Sequence, residues 1–445
     1  MLTLTSLPSE IILLIFEYLD VCSLQRTTST CWMFHTLAKD DLLWRLFAYR
    51  HRCPPLPLSV PIPEGVSYHY SWVKRWYIAE KNIATSQGVF SVVDLCEQDL
   101  DSRCNQVSVI CIDTRASRMY VSRENESVVY EVDTLTGEYQ TTAMDLGLKA
   151  PIVAMDFASN FLDNDENDDY ADCFGIDMLA VITSDRIESA FVRSTPTVSA
   201  LASTSALALA SAATSASAAT ASQKFKLCDA FNAIEKKRAL RLAHSLIVTA
   251  GDDMRMWVWR YDNHHQRFTS QPQCIANDVG SIYSVDIDPK HIYVGLHCAK
   301  FLIVDINTLE RVQLVSFCDP SSYVSILTVS PWYLVAAGTG SLVCKWSLAE
   351  PVDQGSASTI VCCDPVTLDN QFDYTTTAKV DRERLATLAS DGTLRLWWLR
   401  NGDEHCIAKL KFKQLREIKY NRALAIDPWH LALGTDDGKL LIWKF

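Results

Sequence analysis

Apolar side chains follow two different periods along this chain, and the change of period divides it into regions. Between residues 7 and 47 they recur every three or four positions, as at Ile11, Ile15 and Leu19, which predicts helices. After Gly88 they alternate with polar side chains, which predicts strands. The pattern predicts a small α-helical domain at 1–50, a proline-rich linker with one helix at 51–87, and an all-β domain at 88–445.

The first predicted helix is apolar on every side. Pro8 suits a first helical turn because the backbone N–H that proline lacks would form no hydrogen bond within the helix there, and Glu10 complements the positive end of the helix dipole. Besides the stripe that begins at Ile11, Leu14 and Phe16 place apolar groups on the remaining faces. We expect such a helix to bury one face in its own domain and to offer another to a partner. The alternative is a helical cap on the domain that follows.

The linker region contains two tryptophans with helical spacing. Trp72 and Trp76 share one predicted helix face, with Lys74 and Arg75 between them. We expect this face to pack as a ridge that fixes the helical domain against the all-β domain.

A repeat with a tight turn and an aromatic residue recurs through the all-β domain. The turn residue precedes the aromatic residue by six positions, and the pairs are Glu124 and Tyr130, Asp185 and Phe191, Asp253 and Trp259, Gly340 and Trp346, Asp391 and Trp397, and Asp437 and Trp443. A further unit at 292–305 lacks the aromatic residue. Repeats of about 40–45 residues are typical of four-stranded propeller blades, so these seven units predict a ring of blades.

The last unit supplies only three of the four strands of a blade. An additional strand, Val89–Leu95 within 88–98, precedes the first unit. Pairing this strand with 439–445 would close the ring and remove an exposed sheet edge, so we predict that pairing.

Two insertions interrupt the repeat. Residues 160–178 are rich in Asp, and Asp163, Asp165 and Asp169 have the spacing of a calcium loop. The glycine and glutamate that such a loop needs are absent, which favours a solvated acidic loop. Residues 193–224 form a Ser/Ala/Thr tract whose low complexity predicts disorder, with a transient alanine-rich helix as the alternative.

Composition excludes several classes of protein. No apolar run reaches the ~18–20 residues of a membrane span, and no basic leader or cleavage site indicates a signal peptide. The net charge of −12 opposes broad nucleic-acid binding, which needs a basic footprint. The 15 cysteines include no Cys-x-x-Cys pair, so we expect free thiols, no metal site, and a cytoplasmic or nuclear location.

The sequence contains no recognisable catalytic motif. Gly-x-Ser-x-Gly, phosphate-binding Gly-Lys-Ser/Thr loops and His-Glu-x-x-His are all absent. Histidines such as His244 and His430 lie at predicted strand or loop positions. We therefore expect a binding protein without a cofactor rather than an enzyme.

Residues 7–47 resemble an F-box, the helical module that docks receptors of cullin–RING ubiquitin ligases onto a Skp-type adaptor. The matching residues are Leu7-Pro8, Glu10, Ile15, Tyr18-Leu19-Asp20, Leu24, Cys31, Phe34, Leu37-Ala38, Asp40 and Leu43-Trp44-Arg45. Val21, Gln25 and Thr30 depart from the family pattern, so the second helix is the weaker match. The resemblance implies adaptor binding by Leu7, Pro8, Ile11, Ile12, Ile15, Leu19, Leu24 and Trp44.

The hairpins at 389–397 and 434–443 resemble WD repeats. The fold class implied is an all-β seven-bladed WD-repeat β-propeller preceded by a small α-helical F-box domain. The Gly-His pair common in that family is absent, so its buried hydrogen-bonded network is expected to be incomplete.

The combination resembles an F-box/WD-repeat protein, a substrate receptor of a cullin–RING ubiquitin ligase. In that family the propeller face with the turns between second and third strands holds the protein substrate, often a phosphorylated one, through arginines. The substrate-binding residues implied here are Arg123, Arg186, His297 and Lys300. The alternative is a propeller scaffold that joins an adaptor complex without ubiquitylation.

Overall fold

A computed structural model describes most of the repeat region and the helices before it. The described residues are 7–19, 21–50, 53, 68–85, 87–95, 106–113, 117–134, 141–144, 146–158, 176–183, 187–194, 226–232, 237–262, 267–269, 271–276, 280–297, 300–316, 324–338, 343–348, 366–368, 375–399, 405–411 and 423–445.

Five helices form the N-terminal part of the described chain. They are α1 (Ser9–Glu17), α2 (Val21–Thr28), α3 (Trp32–Leu37), α4 (Asp41–Arg50) and α5 (Tyr68–Ala84). The helices α1 to α4 share one apolar core, and Val73 of α5 is buried in the same core. We call α1 to α4 with this core the helical module. The predicted small helical region is confirmed.

The strands in the described ranges form seven antiparallel sheets, which we number I to VII by position in the chain. Sheet I contains β2 (Val107–Asp113), β3 (Arg118–Arg123), β4 (Val129–Asp133) and β5 (Thr141–Met144). Sheet II contains β6 (Ile152–Ala158), β7 (Ile176–Thr183), β8 (Ile187–Ser194) and β9 (Lys226–Asn232). Sheet III contains β10 (Lys237–Ala243), β11 (Leu246–Gly251), β12 (Arg255–Asp262), β13 (Arg267–Phe268) and β14 (Gln273–Ala276).

The remaining sheets repeat the same order. Sheet IV contains β15 (Ile282–Ile287), β16 (His291–Leu296), β17 (Lys300–Asp305) and β18 (Arg311–Ser316). Sheet V contains β19 (Val324–Val329), β20 (Tyr333–Gly338), β21 (Val343–Ser347) and β22 (Val366–Leu368). Sheet VI contains β23 (Thr375–Asp381), β24 (Arg384–Ala389), β25 (Thr393–Trp398) and β26 (His405–Lys411). Sheet VII contains β27 (Leu424–Ile426), β28 (His430–Gly434), β29 (Lys439–Lys444) and β1 (Val89–Asp94).

The first strands of the sheets form a closed ring. Contacts run from β2 to β6, β10, β15, β19, β23 and β27, and from β27 back to β2. Six sheets contain only strands that follow one another in the chain, whereas sheet VII also takes in β1. The predicted propeller is confirmed by this circular arrangement.

The strand β1 closes the ring. It pairs antiparallel with β29 over its whole length, from Val89 opposite Lys444 to Asp94 opposite Lys439. The predicted pairing of Val89–Leu95 with 439–445 is confirmed. The ring is therefore joined by a strand that lies far from its partner in the sequence, immediately after α5.

Side chains at one repeated position connect neighbouring sheets inside the ring. The fifth residues of β2, β6, β10, β15, β19 and β23 are Cys111, Asp156, Arg241, Asp286, Thr328 and Lys379. The Asp156 carboxylate accepts the Leu242 N–H at 2.8 Å, and the Asp286 carboxylate accepts the Val329 N–H at 2.8 Å. Arg241 donates to both carboxylates, at 2.7 Å to Asp286 and 3.3 Å to Asp156. Charged hydrogen bonds thereby tie β6 to β10, β10 to β15 and β15 to β19.

Turn aspartates and buried tryptophans stabilise the individual hairpins. Asp391 accepts the Thr393 N–H at 2.8 Å, which fixes the tight turn of sheet VI. Two strands of this sheet are also linked by the Trp397 indole, which donates to the Thr387 hydroxyl at 2.9 Å. Asp427 similarly accepts the N–H groups of the turn between β27 and β28. In sheet VI the repeated turn aspartate and tryptophan thus cap a turn and link two strands.

Both predicted insertions lie almost wholly outside the described residues. The predicted acidic loop 160–178 differs from the structure at one end, since β7 begins at Ile176. The tract 193–224 overlaps the end of β8 at Ser194. No helix in the described part of the chain is both long enough and apolar enough to cross a membrane.

Candidate functional site

The helix α1 has two apolar faces, and only one of them is buried. Pro8 precedes the helix, and its carbonyl accepts the N–H groups of Ile11 and Ile12. Ile12 and Phe16 point into the module core, where Phe16 meets Phe34 edge-on at 5.5 Å. The opposite face of α1 remains open to solvent.

Four apolar side chains make up this open face. Their exposed fractions are 43% for Ile11, 51% for Leu14, 37% for Ile15 and 79% for Tyr18. They are spaced three or four residues apart, so they form one continuous stripe along the helix. We call this stripe the outer face of α1. Exposed apolar side chains in such a continuous set indicate a surface that a partner covers.

The predicted adaptor-binding residues fall into three groups. Pro8, Ile11 and Ile15 are exposed, and Leu7 and Leu19 are half-buried. The third group is fully inside the module and comprises Ile12, Leu24 and Trp44. These three side chains are placed to stabilise the module rather than to touch another protein.

Trp44 shows what the buried group does. Its indole N–H donates to the Ala38 carbonyl at 2.5 Å, and its ring meets Tyr70 of α5 at 4.9 Å. The pair Leu43-Trp44 therefore packs α4 against both the end of α3 and α5, within the core that also buries the inner face of α1.

Leu14 and Tyr18 were missed as candidate binding residues. The sequence held the signal, because Ile11, Leu14, Ile15 and Tyr18 follow the i, i+3, i+4, i+7 pattern of one helix face. A motif match weights the residues that a family shares, whether they support the core or contact a partner.

The helical module has a second open apolar surface. Leu42, Leu46 and Tyr49 lie on the side of α4 that faces away from the core, and Trp32 at the start of α3 is 81% exposed. Arg45 lies over the Tyr49 ring at 5.7 Å. None of these residues was predicted from the sequence to contact a partner.

The two faces of the propeller are distinguished by their turns. Because strands alternate in direction, the turns between second and third strands all lie on one face, the upper face. The turns between first and second strands lie on the opposite, lower face. The predicted substrate residues belong to the upper face.

Arg123 lies on the upper face but is almost fully buried. Its guanidinium pairs with the Glu126 carboxylate at 2.6 Å and donates to the Tyr130 hydroxyl at 2.7 Å. Burial and the nearby Glu126 charge raise the pKa of Tyr130, so its hydroxyl stays protonated. Arg123 already has a carboxylate partner within its own hairpin, and a phosphate would have to displace Glu126.

The other predicted substrate residues are less enclosed. His297 is exposed on the upper face at the end of β16, where its ring meets Tyr283 at 5.8 Å. Lys300 is half-buried at the start of β17. Arg186 lies outside the described residues. The structure thus brings His297 and Lys300 to one sheet and leaves Arg123 three sheets away.

The helix α5 attaches the helical module to the lower face. Trp429, in the turn between β27 and β28, packs with Ala79, Trp72, Trp76 and Phe445. The predicted packing ridge is confirmed, since Trp72 and Trp76 contact both the module core and this cluster. The module therefore sits opposite the upper face and leaves that face uncovered.

Charged groups support this attachment. The Arg75 guanidinium lies over the Trp429 ring at 5.5 Å, and burial there lowers the pKa of Arg75 against the pull of Asp427. The net pKa of the Arg384 guanidinium is raised. Burial alone would lower this pKa, but the attraction of Asp381 and of Glu80 in α5 outweighs the effect of burial. The contact between α5 and the propeller is consequently both apolar and charge-matched.

Within the described ranges, no three His, Cys, Asp or Glu side chains are grouped so that they could hold an ion. Burial raises the pKa of the Cys53 thiol to about 12, so this cysteine is neutral at physiological pH.

Residues 4–50 match the family model described as F-box-like. The match covers α1 to α4, which form the helical module, and stops before α5. No curated protein matches the chain. The family match therefore supports an F-box-like region, which the structure shows to precede a propeller, and it favours binding of a Skp-type adaptor by that region.

Proposed function

We propose that this protein is a substrate-recognition subunit of a Skp-adaptor/cullin/F-box ubiquitin ligase. The outer face of α1 binds the adaptor, and the upper face of the propeller binds a protein substrate. The chain itself carries no catalysis and acts by raising the concentration of substrate near the conjugating enzyme. Its location is the cytoplasm, the nucleus or both.

One observation carries the adaptor half of the proposal. The F-box-like match at 4–50 coincides with a helix whose outer face presents four apolar side chains to solvent. Burying a side chain such as Ile or Leu is worth about 1.5–3 kcal/mol before the costs of association. A partner that covers the exposed parts of these four side chains gains a share of this free energy from each of them.

The arrangement of the propeller supports the substrate half. Because α5 occupies the lower face, an adaptor on the helical module and a substrate on the upper face do not compete for space. His297 and Lys300 are the described candidates that reach solvent there, with Arg186 as a sequence-based candidate. Recognition of a phosphorylated substrate by Arg123 requires the phosphate to displace the Glu126 carboxylate from the guanidinium.

We further propose that each sheet is one blade of a seven-bladed WD-repeat propeller. The seven sheets, the turn aspartate Asp391 and the hydrogen bond between Trp397 and Thr387 support this assignment. Blades of that type would supply the seven upper-face turns on which substrates are held.

The test is co-purification of the intact chain with adaptor and cullin. Ile15→Asp places a charge in the outer face of α1 and is expected to abolish recovery of both partners. Ile78→Asp is the matched control, because Ile78 of α5 is an isoleucine of similar exposure, 44% against 37%, outside residues 4–50. Adaptor and cullin retained by Ile15→Asp would contradict the proposal. Recovery of adaptor without cullin would instead favour a scaffold that takes no part in ubiquitylation.

A further inference from the structure

The helix that carries the module and the strand that closes the ring are directly joined. The helix α5 ends at Ala84 and β1 begins at Val89. Hydrogen bonds from Thr85 N–H to the Lys81 carbonyl, at 3.0 Å, and from Gln87 N–H to the Asn82 carbonyl, at 2.7 Å, tie the connection to the end of the helix. Because the connection is short and hydrogen-bonded to the helix end, a displacement of α5 also displaces β1.

Both elements pack against the same tryptophan. Trp443 of β29 shares a buried cluster with Ile83 of α5, and it stacks on Phe90 of β1 with ring centres 5.2 Å apart. Gly88 lies so close that a Cβ there would be 1.7 Å from the Trp443 indole nitrogen. Trp443 is 1% exposed, so neither neighbour can move without opening its packing.

The lower-face anchor continues this set of contacts. Phe445 lies 5.1 Å from Trp443 and also packs in the cluster of Trp429 with Trp76. Arg75 lies over Trp429 from the α5 side. A continuous path of packed rings thus runs from α5 through sheet VII to β1.

We propose that α5 and β1 act as a single clasp, in which α5 holds the helical module on the lower face only while β1 closes the ring. Opening of β1 from β29 releases the module, and loosening of α5 weakens ring closure. As far as it concerns ubiquitin transfer, the clasp rests on the proposed function: an open clasp leaves both binding surfaces intact but no longer holds them at a fixed separation.

The clasp is tested by two measurements on the full chain without any partner. Spin labels on non-natural amino acids at Arg26 of the module and Asp436 of the upper face report their separation; this labelling avoids the 15 cysteines. Hydrogen exchange of the β1 and β29 amides reports ring closure. Trp429→Ala removes the anchor, and Trp346→Ala is the control, since Trp346 is equally buried but packs on Phe301 in another cluster.

For Trp429→Ala we expect a broadened distance distribution together with at least tenfold faster exchange of the β1 amides. For Trp346→Ala we expect neither change. An unchanged distance distribution in Trp429→Ala would overturn the anchor, and a broadened distribution with unchanged β1 exchange would overturn the coupling. If Trp429→Ala fails to fold, Arg75→Ala repeats the test with Lys74→Ala as the control of equal charge. Because no adaptor is present, these outcomes are independent of the proposed function.

Discussion

Asp286 belongs to the charged tie between neighbouring sheets inside the ring. One carboxylate oxygen accepts from Arg241 at 2.7 Å, and the other accepts the Val329 N–H at 2.8 Å. Asp286→Ala leaves both donors without this partner, and it leaves Arg241 with Asp156 alone. The variant should therefore loosen the junctions between sheets III, IV and V.

The expected size follows from the surroundings of the pair. Breaking a buried ion pair by removing one partner costs about 3–5 kcal/mol. The Arg241 side chain is 26% exposed and keeps Asp156, so water and that carboxylate compensate in part. We expect a loss of about 3 kcal/mol for Asp286→Ala, near the lower end of that range.

Urea unfolding monitored by tryptophan fluorescence and by circular dichroism measures this loss. Thr328→Val is the comparison variant, because Thr328 occupies the same position in the next first strand and accepts the Val380 N–H at 3.4 Å. A single neutral hydrogen bond is worth about 1 kcal/mol, so its loss should be clearly smaller. If Asp286→Ala costs no more than Thr328→Val, the account of a charged tie is refuted.

Three further predictions concern stability. Gly88→Ala should lower the free energy of unfolding by at least about 3 kcal/mol, the upper end of the cost of overpacking, because the added Cβ collides with Trp443. Thermal unfolding measures this loss with Gln87→Ala as the control, and an unchanged unfolding midpoint in Gly88→Ala would contradict the close approach. The backbone N–H of Thr308 is the main group that lowers the pKa of Asp305. Asp305→Asn should therefore be less stable than the parent at pH 7, and the difference should vanish as the pH falls through that lowered pKa; a difference that does not depend on pH would refute this. Lys345 is buried and donates to a carbonyl of the neighbouring sheet at 2.9 Å. Lys345→Met keeps the packing of the aliphatic part of the side chain, so in urea unfolding it should lose less stability than Lys345→Ala; equal losses would argue against a packing role for that part.

Ring closure was predictable because it follows from a count of strands. The unit ending at Trp443 has three strands, and Val89–Leu95 had no partner in its own neighbourhood of the sequence. An unpaired edge strand is costly, so one pairing satisfied both observations. The attachment of α5 through Trp72 and Trp76 was predictable for a similar reason, since two large rings on one helix face need a surface to cover them.

The charged tie formed by Asp156, Arg241 and Asp286 could not be predicted in the same way. These residues lie on different strands, 85 and 45 positions from Arg241, and nothing in a single strand pattern shows which face turns inward. The partner of Arg123 could not be predicted for a related reason. Its place in a turn made it a candidate for phosphate binding, but the partner that engages it, Glu126, is decided by the geometry of the hairpin.

The candidate adaptor site was predictable as a region but not residue by residue. The motif identified the helix correctly, while burial separates Ile12, which supports the core, from Ile11 and Ile15, which face solvent. Two adjacent isoleucines in one motif thus have different expected roles. Only the direction of each side chain distinguishes them.

The most direct test of the central claim is the affinity of the purified chain for a purified Skp-type adaptor, measured by calorimetry. Ile15 is 37% exposed, so Ile15→Asp removes about 1 kcal/mol of apolar burial, and it also buries an unpaired carboxylate, which costs several kcal/mol; the affinity should fall at least about 100-fold. Ile78→Asp should bind as the parent does. Equal affinities for the parent and Ile15→Asp would contradict the assignment of the outer face of α1 as the adaptor-binding surface.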